Sequence, residues 1–181
     1  MRYFLAHILS GDDAERMQEL RREISKRFHV HAALKLPPHI TLVRPFESVA
    51  MPDFISDAIA DAGDLLEPQT IGTRGFAAFG NAVWFLDLEQ RKRWFEVKAE
   101  LEKRLRVTIA WIPEEYDIDV HFHLTLAYKD VEPQTHELIG RFLQTQPIPI
   151  KRIQFESYSL LQHDGMRWQE IERFPLGRRS R

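Results

Sequence analysis

Pro37-Pro38-His39-Ile40-Thr41-Leu42-Val43-Arg44-Pro45-Phe46 and Phe122-His123-Leu124-Thr125-Leu126-Ala127-Tyr128 share one phrase, His-x-Thr-Leu with an apolar x. Each reads as a β-strand, in which successive side chains alternate between faces. His39 and Thr41 therefore point one way, and Ile40 and Leu42 the other. The same holds for His123 and Thr125 against Leu124 and Leu126. Such a strand packs its apolar face on a core and leaves an imidazole and a hydroxyl on the opposite face. That is half of an active site, and the two halves stand 84 residues apart in the chain.

Outward from the first phrase, Tyr3 to Leu9 reads as a strand. Gly11-Asp12-Asp13 reads as a turn and helix N-cap. Ala14, Met17, Leu20, Ile24 and Phe28 then recur at helical spacing, with Glu and Arg between them. The first motif strand is expected to end near Pro45. Pro52 to about Leu66 predicts a second helix. Thr70–Phe79 and Ala82–Leu88 predict two strands joined around Gly80-Asn81. Trp94, Val97, Leu101 and Leu105 mark another amphipathic helix before the second motif strand, which ends near Lys129-Asp130. Pro133–Gln144 predicts a helix. Ile148–Leu161 and Arg167–Phe174 predict a final hairpin around His163-Asp164-Gly165. The order strand, helix, motif strand thus occurs twice, as 3–9, 13–28 and the first motif, then as 83–88, 91–106 and the second. A pseudo-two-fold arrangement of the two units would bring the His–Thr pairs face to face across a groove.

Composition limits what such a groove can serve. The chain has 181 residues, 44% of them hydrophobic and 12 of them Phe, enough to bury a core in one large domain or two small lobes sharing an interface. Charged residues make up 29% in near balance, with net charge −2. No global basic field is present to attract long nucleic acid, so any nucleic-acid substrate is short or recognised locally. Cysteine is absent, which excludes disulfides, thiolate metal sites and a Cys nucleophile and fits a reducing cytoplasm. The start Met1-Arg2-Tyr3-Phe4-Leu5-Ala6-His7 does not read as a signal peptide, and no apolar run reaches membrane-spanning length.

Two imidazoles and two hydroxyls suit a phosphodiester. One neutral imidazole takes a proton from an attacking hydroxyl or water, and the other, protonated, gives one to the leaving oxygen. An unperturbed pKa near 6.5 makes both forms accessible around neutrality. Proton transfer of this kind contributes roughly 10²–10⁴-fold. The Thr hydroxyls can donate to non-bridging oxygens as charge develops on them. The arrangement requires no metal or other cofactor, and no P-loop is present to hold a nucleoside triphosphate. A lone His-x-Thr is usually a surface feature of a strand, so the weight rests on the second copy with the same flanking Leu.

In these two motifs, and in their order and contexts, the chain resembles the two-histidine (2H) phosphoesterase superfamily, in particular its 2′-5′ RNA ligase-like and cyclic phosphodiesterase members. The resemblance runs from the first strand to Phe174-Pro175-Leu176. It implies a bilobal, pseudo-two-fold α+β fold over residues 1–181, with two antiparallel sheets around a central groove and helices outside. It implies metal-free cleavage of a 2′,3′-cyclic or 2′-5′ phosphodiester, or the reverse joining. The substrate would be a small cyclic nucleotide or an RNA terminus. His39 and His123 would be the acid/base pair, and Thr41 and Thr125 the phosphate-holding hydroxyls. Where several members carry a basic residue just after the second motif, this chain has Tyr128, followed by Lys129. Tyr128 and Arg44 are candidate substrate contacts. The chain is expected to act as a monomer, without a membrane partner.

Other readings compete. His121 lies two residues before His123 and, with His39, would complete three nitrogen ligands for a metal-dependent hydrolase. The plainer reading makes it a partly exposed histidine at a strand start. His29 and His31 read as loop residues, His163 as a solvated turn, and His7 as a strand residue whose alternation could bring it near the groove. Phe76, Phe79, Trp84 and Trp111 are core aromatics or base-stacking surfaces. Arg91-Lys92-Arg93 and the Arg178-Arg179 tail read as solvated charge. A non-catalytic RNA- or nucleotide-binding module that keeps the groove is the main alternative to an enzyme.

Overall fold

The computed structural model describes residues 1–65, 67–113 and 120–177. Its strands form two four-stranded antiparallel sheets. The first unit runs β1 (Arg2–Ile8), α1 (Gly11–Phe28), a 3₁₀ turn (Ala32–Lys35) and β2 (His39–Glu47). Then follow α2 (Pro52–Ile59), a 3₁₀ segment (Ala60–Leu65) and β3 (Gln69–Phe79). The second unit is β4 (Val83–Leu88), α3 (Lys92–Ile109) and β5 (His123–Ala127). The chain closes with α4 (Pro133–Leu143), β6 (Arg152–Phe155), β7 (Ser157–His163) and β8 (Trp168–Pro175).

The sheet orders are β2-β1-β7-β8 and β5-β4-β3-β6. In each, a motif strand occupies an edge and pairs antiparallel with the first strand of its own unit. The two edges, β2 and β5, pack against one another. The helices are exchanged between units: α1 packs on β5, and α3 packs on β2. Both helices have 18 residues and end in a non-glycine left-handed residue, His29 at φ 57° and Ala110 at φ 53°. This is the expected α+β pseudo-two-fold, with α1 and α3 each clamping the other unit's motif strand.

Packing explains why the elements hold. α3 buries Trp94, Val97, Leu101 and Leu105, a stripe at helical spacing. Burying each such side chain contributes about 1.5–3 kcal/mol. Ile40, Leu42, Leu124 and Leu126 are all at most 1% exposed, so the apolar faces of both motif strands lie in one core. A one-residue slip of either strand would turn those side chains out and the histidines in.

Several boundaries differ from the sequence reading. β2 runs through Pro45 to Glu47; an edge strand has a free side, so a missing N–H there breaks no ladder. The N-cap of α1 is Ser10, and the helix already includes Gly11-Asp12-Asp13. The second helix gives way to 3₁₀ geometry after Ile59; Leu66, its expected end, lies outside the described residues. The expected single strand 148–161 is two strands in different sheets. Phe155 pairs with Gln69 of β3, while Ser157 pairs with Pro175 of β8, so the chain crosses between sheets at Glu156. Periodicity alone does not reveal such a crossing, because the alternation continues through it. The Arg178-Arg179 tail lies outside the described residues.

Candidate active site

The edge strands β2 and β5 pack against one another. Of the two His–Thr pairs, Thr41 and His123 line one cavity, while His39 and Thr125 are not among its lining residues. His39 and His123 are half-buried, and the charge of His123 acts on His39. Each ring is held in the same way. His39 Nδ1 lies 2.9 Å from the carbonyl of Pro37, and His123 Nδ1 lies 2.6 Å from that of His121. A carbonyl only accepts, so Nδ1 carries the hydrogen in both rings. In the neutral form Nε2 then keeps its lone pair, free for proton transfer. The same bond, two residues upstream, occurs in both copies of the motif.

The environments of the two rings differ. Burial pushes His39 down to about 4, with Arg21 and His123 adding repulsion and the Pro37 carbonyl opposing. His123 is also lowered by burial; the His121 carbonyl and Asp87 oppose this, while His121 and Arg44 add to it. Opposite His39 on β1 stands Ile8, whereas opposite His123 on β4 stands Asp87. Cross-strand partners share a face. Asp87 Oδ1 in turn lies 2.6 Å from His121 Nε2, which fixes the residue whose carbonyl holds His123.

A cavity of about 250 Å³ opens beside His123. Thr41 and Arg44 from β2, Lys98 from α3, Phe79 from β3, and Val120 and His121 from the approach to β5 line it together with His123 and Leu42. Thr41 therefore reaches across to the partner histidine. Lys98 forms a buried ion pair with Glu102. Thr125 sits opposite Phe85 on the face of His123. Tyr128 lies just past β5, half-buried and within electrostatic reach of Arg21.

Arg21, one of the arginines between the apolar positions of α1 and not singled out by the sequence reading, is 2% exposed. Its Nε donates to the Thr125 carbonyl at 2.8 Å, and one terminal nitrogen faces the carbonyls of Ala33 and Leu36 at 3.4 and 3.2 Å. It thereby ties α1 to β5 and to the segment that leads into β2. A signal was present: Arg21 falls four residues after Met17 and three before Ile24, inside the apolar stripe. Asp87 was also missed, although it is the lone acid in the alternating strand Val83–Leu88, one strand from His123.

The remaining candidates separate cleanly. His7 pairs with Ile40 and shares its core face, so it does not line the groove; its Nδ1 donates to the Ser157 carbonyl at 2.8 Å. His121 is a partly exposed histidine just before β5, as the plainer reading has it; it also lines the cavity and is engaged by Asp87. Among the described residues, no three His, Cys, Asp or Glu side chains gather as a metal-binding group. Of the four aromatics, Phe76 and Trp111 pack on the core, and Trp84 stacks on His136 and donates to its carbonyl. Phe79 alone of the four lines the cavity. No helix of the described residues is long and apolar enough to cross a membrane.

Residues 10–167 match the 2′-5′ RNA ligase superfamily. No curated protein matches the sequence. Solved structures match over nearly the whole chain. TT0787 of Thermus thermophilus is 19% identical, with a TM-score of 0.60 over 99% of this chain and 100% of that one. E. coli LigT in apo form is 17% identical, with a TM-score of 0.63 over 97% of both chains. E. coli LigT complexed with 3′-AMP is 16% identical, with a TM-score of 0.61 over 97% of this chain and 98% of that one. At these identities the likeness is one of fold.

Proposed function

The chain belongs to the 2′-5′ RNA ligase superfamily, and from that membership and the paired histidines we propose that it is a metal-independent phosphodiesterase. Its substrate is a 2′,3′-cyclic phosphate or a 2′-5′ RNA-type phosphodiester, and the reverse 2′-5′ joining is open to the same groups. The observation that carries this reading is the matched pair of Nδ1–carbonyl bonds, which leaves the Nε2 lone pair of each neutral ring available for proton transfer. Nothing in that chemistry calls on a metal or cofactor. The absence of cysteine suits work in the cytoplasm, and a single copy of the chain supplies both histidines.

His39, the more strongly depressed of the two, stays neutral at pH 7 and takes the proton from the attacking oxygen. A phosphate anion between the rings favours protonation of both. His123, with Asp87 opposite, gains its proton first and delivers it to the leaving oxygen. Thr41 and Thr125 donate to the non-bridging oxygens, and Arg44 and Tyr128 border the substrate. Donors fixed before the reaction need no reorganisation as charge develops.

Turnover of 2′,3′-cyclic nucleotides and a short 2′-5′-linked oligonucleotide, measured with EDTA present, tests this. EDTA-resistant turnover that disappears in His123→Ala supports the reading. Turnover abolished by EDTA would overturn its metal independence. Tight nucleotide binding without turnover would make the chain a binding module.

A further inference from the structure

Each of the two exchanged helices buries one cation in its packed face, Arg21 in α1 and Lys98 in α3, at 2% and 7% exposure. The helices are equal in length, so their positions correspond by count from the first residue. Arg21 is then matched by Glu102, and Lys98 by the buried Met17. The two cations do not occupy one repeated position, and they are engaged differently. Arg21 is held by three backbone carbonyls. Lys98 Nζ donates to Glu102, one helical turn further on and itself buried. An ammonium carries three N–H donors, so two of them have no partner among the described residues. Lys98 also lines the cavity of Thr41, Arg44 and His123, whose wall includes the apolar Leu42 and Val120. A buried ion pair adds little stability over apolar side chains of the same volume, so packing does not account for this one. A partly engaged ammonium at a cavity wall is a donor for an anion that enters the cavity.

We propose that Lys98 is a ligand-binding residue, which donates to a phosphoryl oxygen of a ligand seated beside Thr41 and His123 while Glu102 keeps one of its N–H groups. That the anion is a phosphoryl group rests on the phosphodiester reading above. Glu102 balances the ammonium before the anion arrives, so the cation can stand buried beside the histidines. Thr41 and Lys98 together ask for two non-bridging oxygens on one phosphorus, which a phosphodiester and a phosphomonoester both supply. Thr41 comes from the first unit and Lys98 from the second, so one phosphoryl group is gripped by both.

Calorimetric binding of inorganic phosphate to the full chain tests it. Lys98→Met alone would leave Glu102 as an unpaired buried carboxylate and risk unfolding. The decisive variant therefore combines Lys98→Met with Glu102→Gln, which removes both charges. It is expected to unfold thermally close to the wild type and to bind phosphate roughly 10- to 150-fold more weakly. Glu102→Gln alone keeps the ammonium and removes a nearby negative charge, so it should bind phosphate at least as tightly as the wild type. Wild-type affinity in the double variant, weaker binding in Glu102→Gln, or no phosphate binding by the wild type would overturn the assignment. A merely structural pair would move the thermal transition of the double variant and leave its phosphate affinity unchanged. The readout is independent of turnover. Lys98-dependent phosphate binding in a chain that turns over no cyclic or 2′-5′ phosphodiester would sink the phosphodiesterase reading and leave the site standing; turnover with phosphate affinity indifferent to Lys98 would do the reverse.

Discussion

The two halves of the groove carry the same His-x-Thr phrase on equivalent edge strands, yet their neighbours differ. On the β2 side, Ile8 and Ala6 stand opposite His39 and Thr41, and the charge that acts most on His39 is that of the buried Arg21. On the β5 side, Asp87 and Phe85 stand opposite His123 and Thr125, and His121 and Phe79 close around the ring. The repeated motif supplies two imidazoles held by the same Nδ1–carbonyl bond. The adjacent strands and exchanged helices then make them unequal. An acid–base pair requires that inequality, since two identical rings would hold the same proton equally well.

The largest expected effect comes from removing either ring. His39→Ala and His123→Ala should each lower kcat/KM by about 10²–10⁴-fold, with thermal unfolding close to that of the wild type. Both side chains are half-buried at the groove rather than packed in the core. A variant that keeps near-normal turnover would break the pairing. Thr41→Val and Thr125→Val come next. A hydrogen bond to a charged group is worth about 1.5–3 kcal/mol, or roughly 10- to 150-fold in kcat/KM. Loss from only one Thr would show that a single half holds the phosphate.

How much of this contrast was legible in the sequence follows from what each part depends on. The motif strands, their facing and the repeat of units were readable, because alternation in His39–Leu42 and helical spacing in Met17–Phe28 are local. The packing of β2 against β5 could be inferred only from the repeat. The inequality between halves was not readable, since Asp87 meets His123 through strand register and Arg21 meets Thr125 across 104 residues of sequence. The crossing at Glu156 was hidden for the same reason: both sheets accept the same alternation.

Arg21 sharpens the comparison through stability. Arg21→Met leaves the carbonyls of Thr125, Ala33 and Leu36 without this donor. An unsatisfied buried polar group costs about 1–3 kcal/mol, which denaturant unfolding would detect. Removing the cation also relieves the repulsion that helps hold His39 down. In the wild type, His39 protonates near 4 when folded and near 6.5 when unfolded. The unfolded chain therefore binds more protons between those values, and stability should fall as pH drops from about 6.5 to 4. In Arg21→Lys, retention of that slope with loss of turnover would separate the positioning of β5 from the charge on His39. An unchanged pH dependence of stability in Arg21→Met would show that the cation does not act on His39.

The smallest expected change tests the inequality most directly. Asp87→Asn removes the carboxylate opposite His123 and leaves the β2 side untouched. Asp87 raises the His123 pKa, so its loss lowers it further below the ordinary histidine value. If His123 is the acid, it must be protonated in the active form, and the alkaline limb of the kcat/KM profile belongs to it. That limb should then move to lower pH in Asp87→Asn, with turnover on the alkaline side falling a few-fold. The acidic limb, set by deprotonation of His39, should stay in place. In the wild type both limbs should lie on the acid side of 6.5, because both rings are depressed. Movement of the acidic limb instead would exchange the two roles. It would make the carboxylate a partner of the base, and the contrast between Ile8 and Asp87 would then have to be read in the opposite sense.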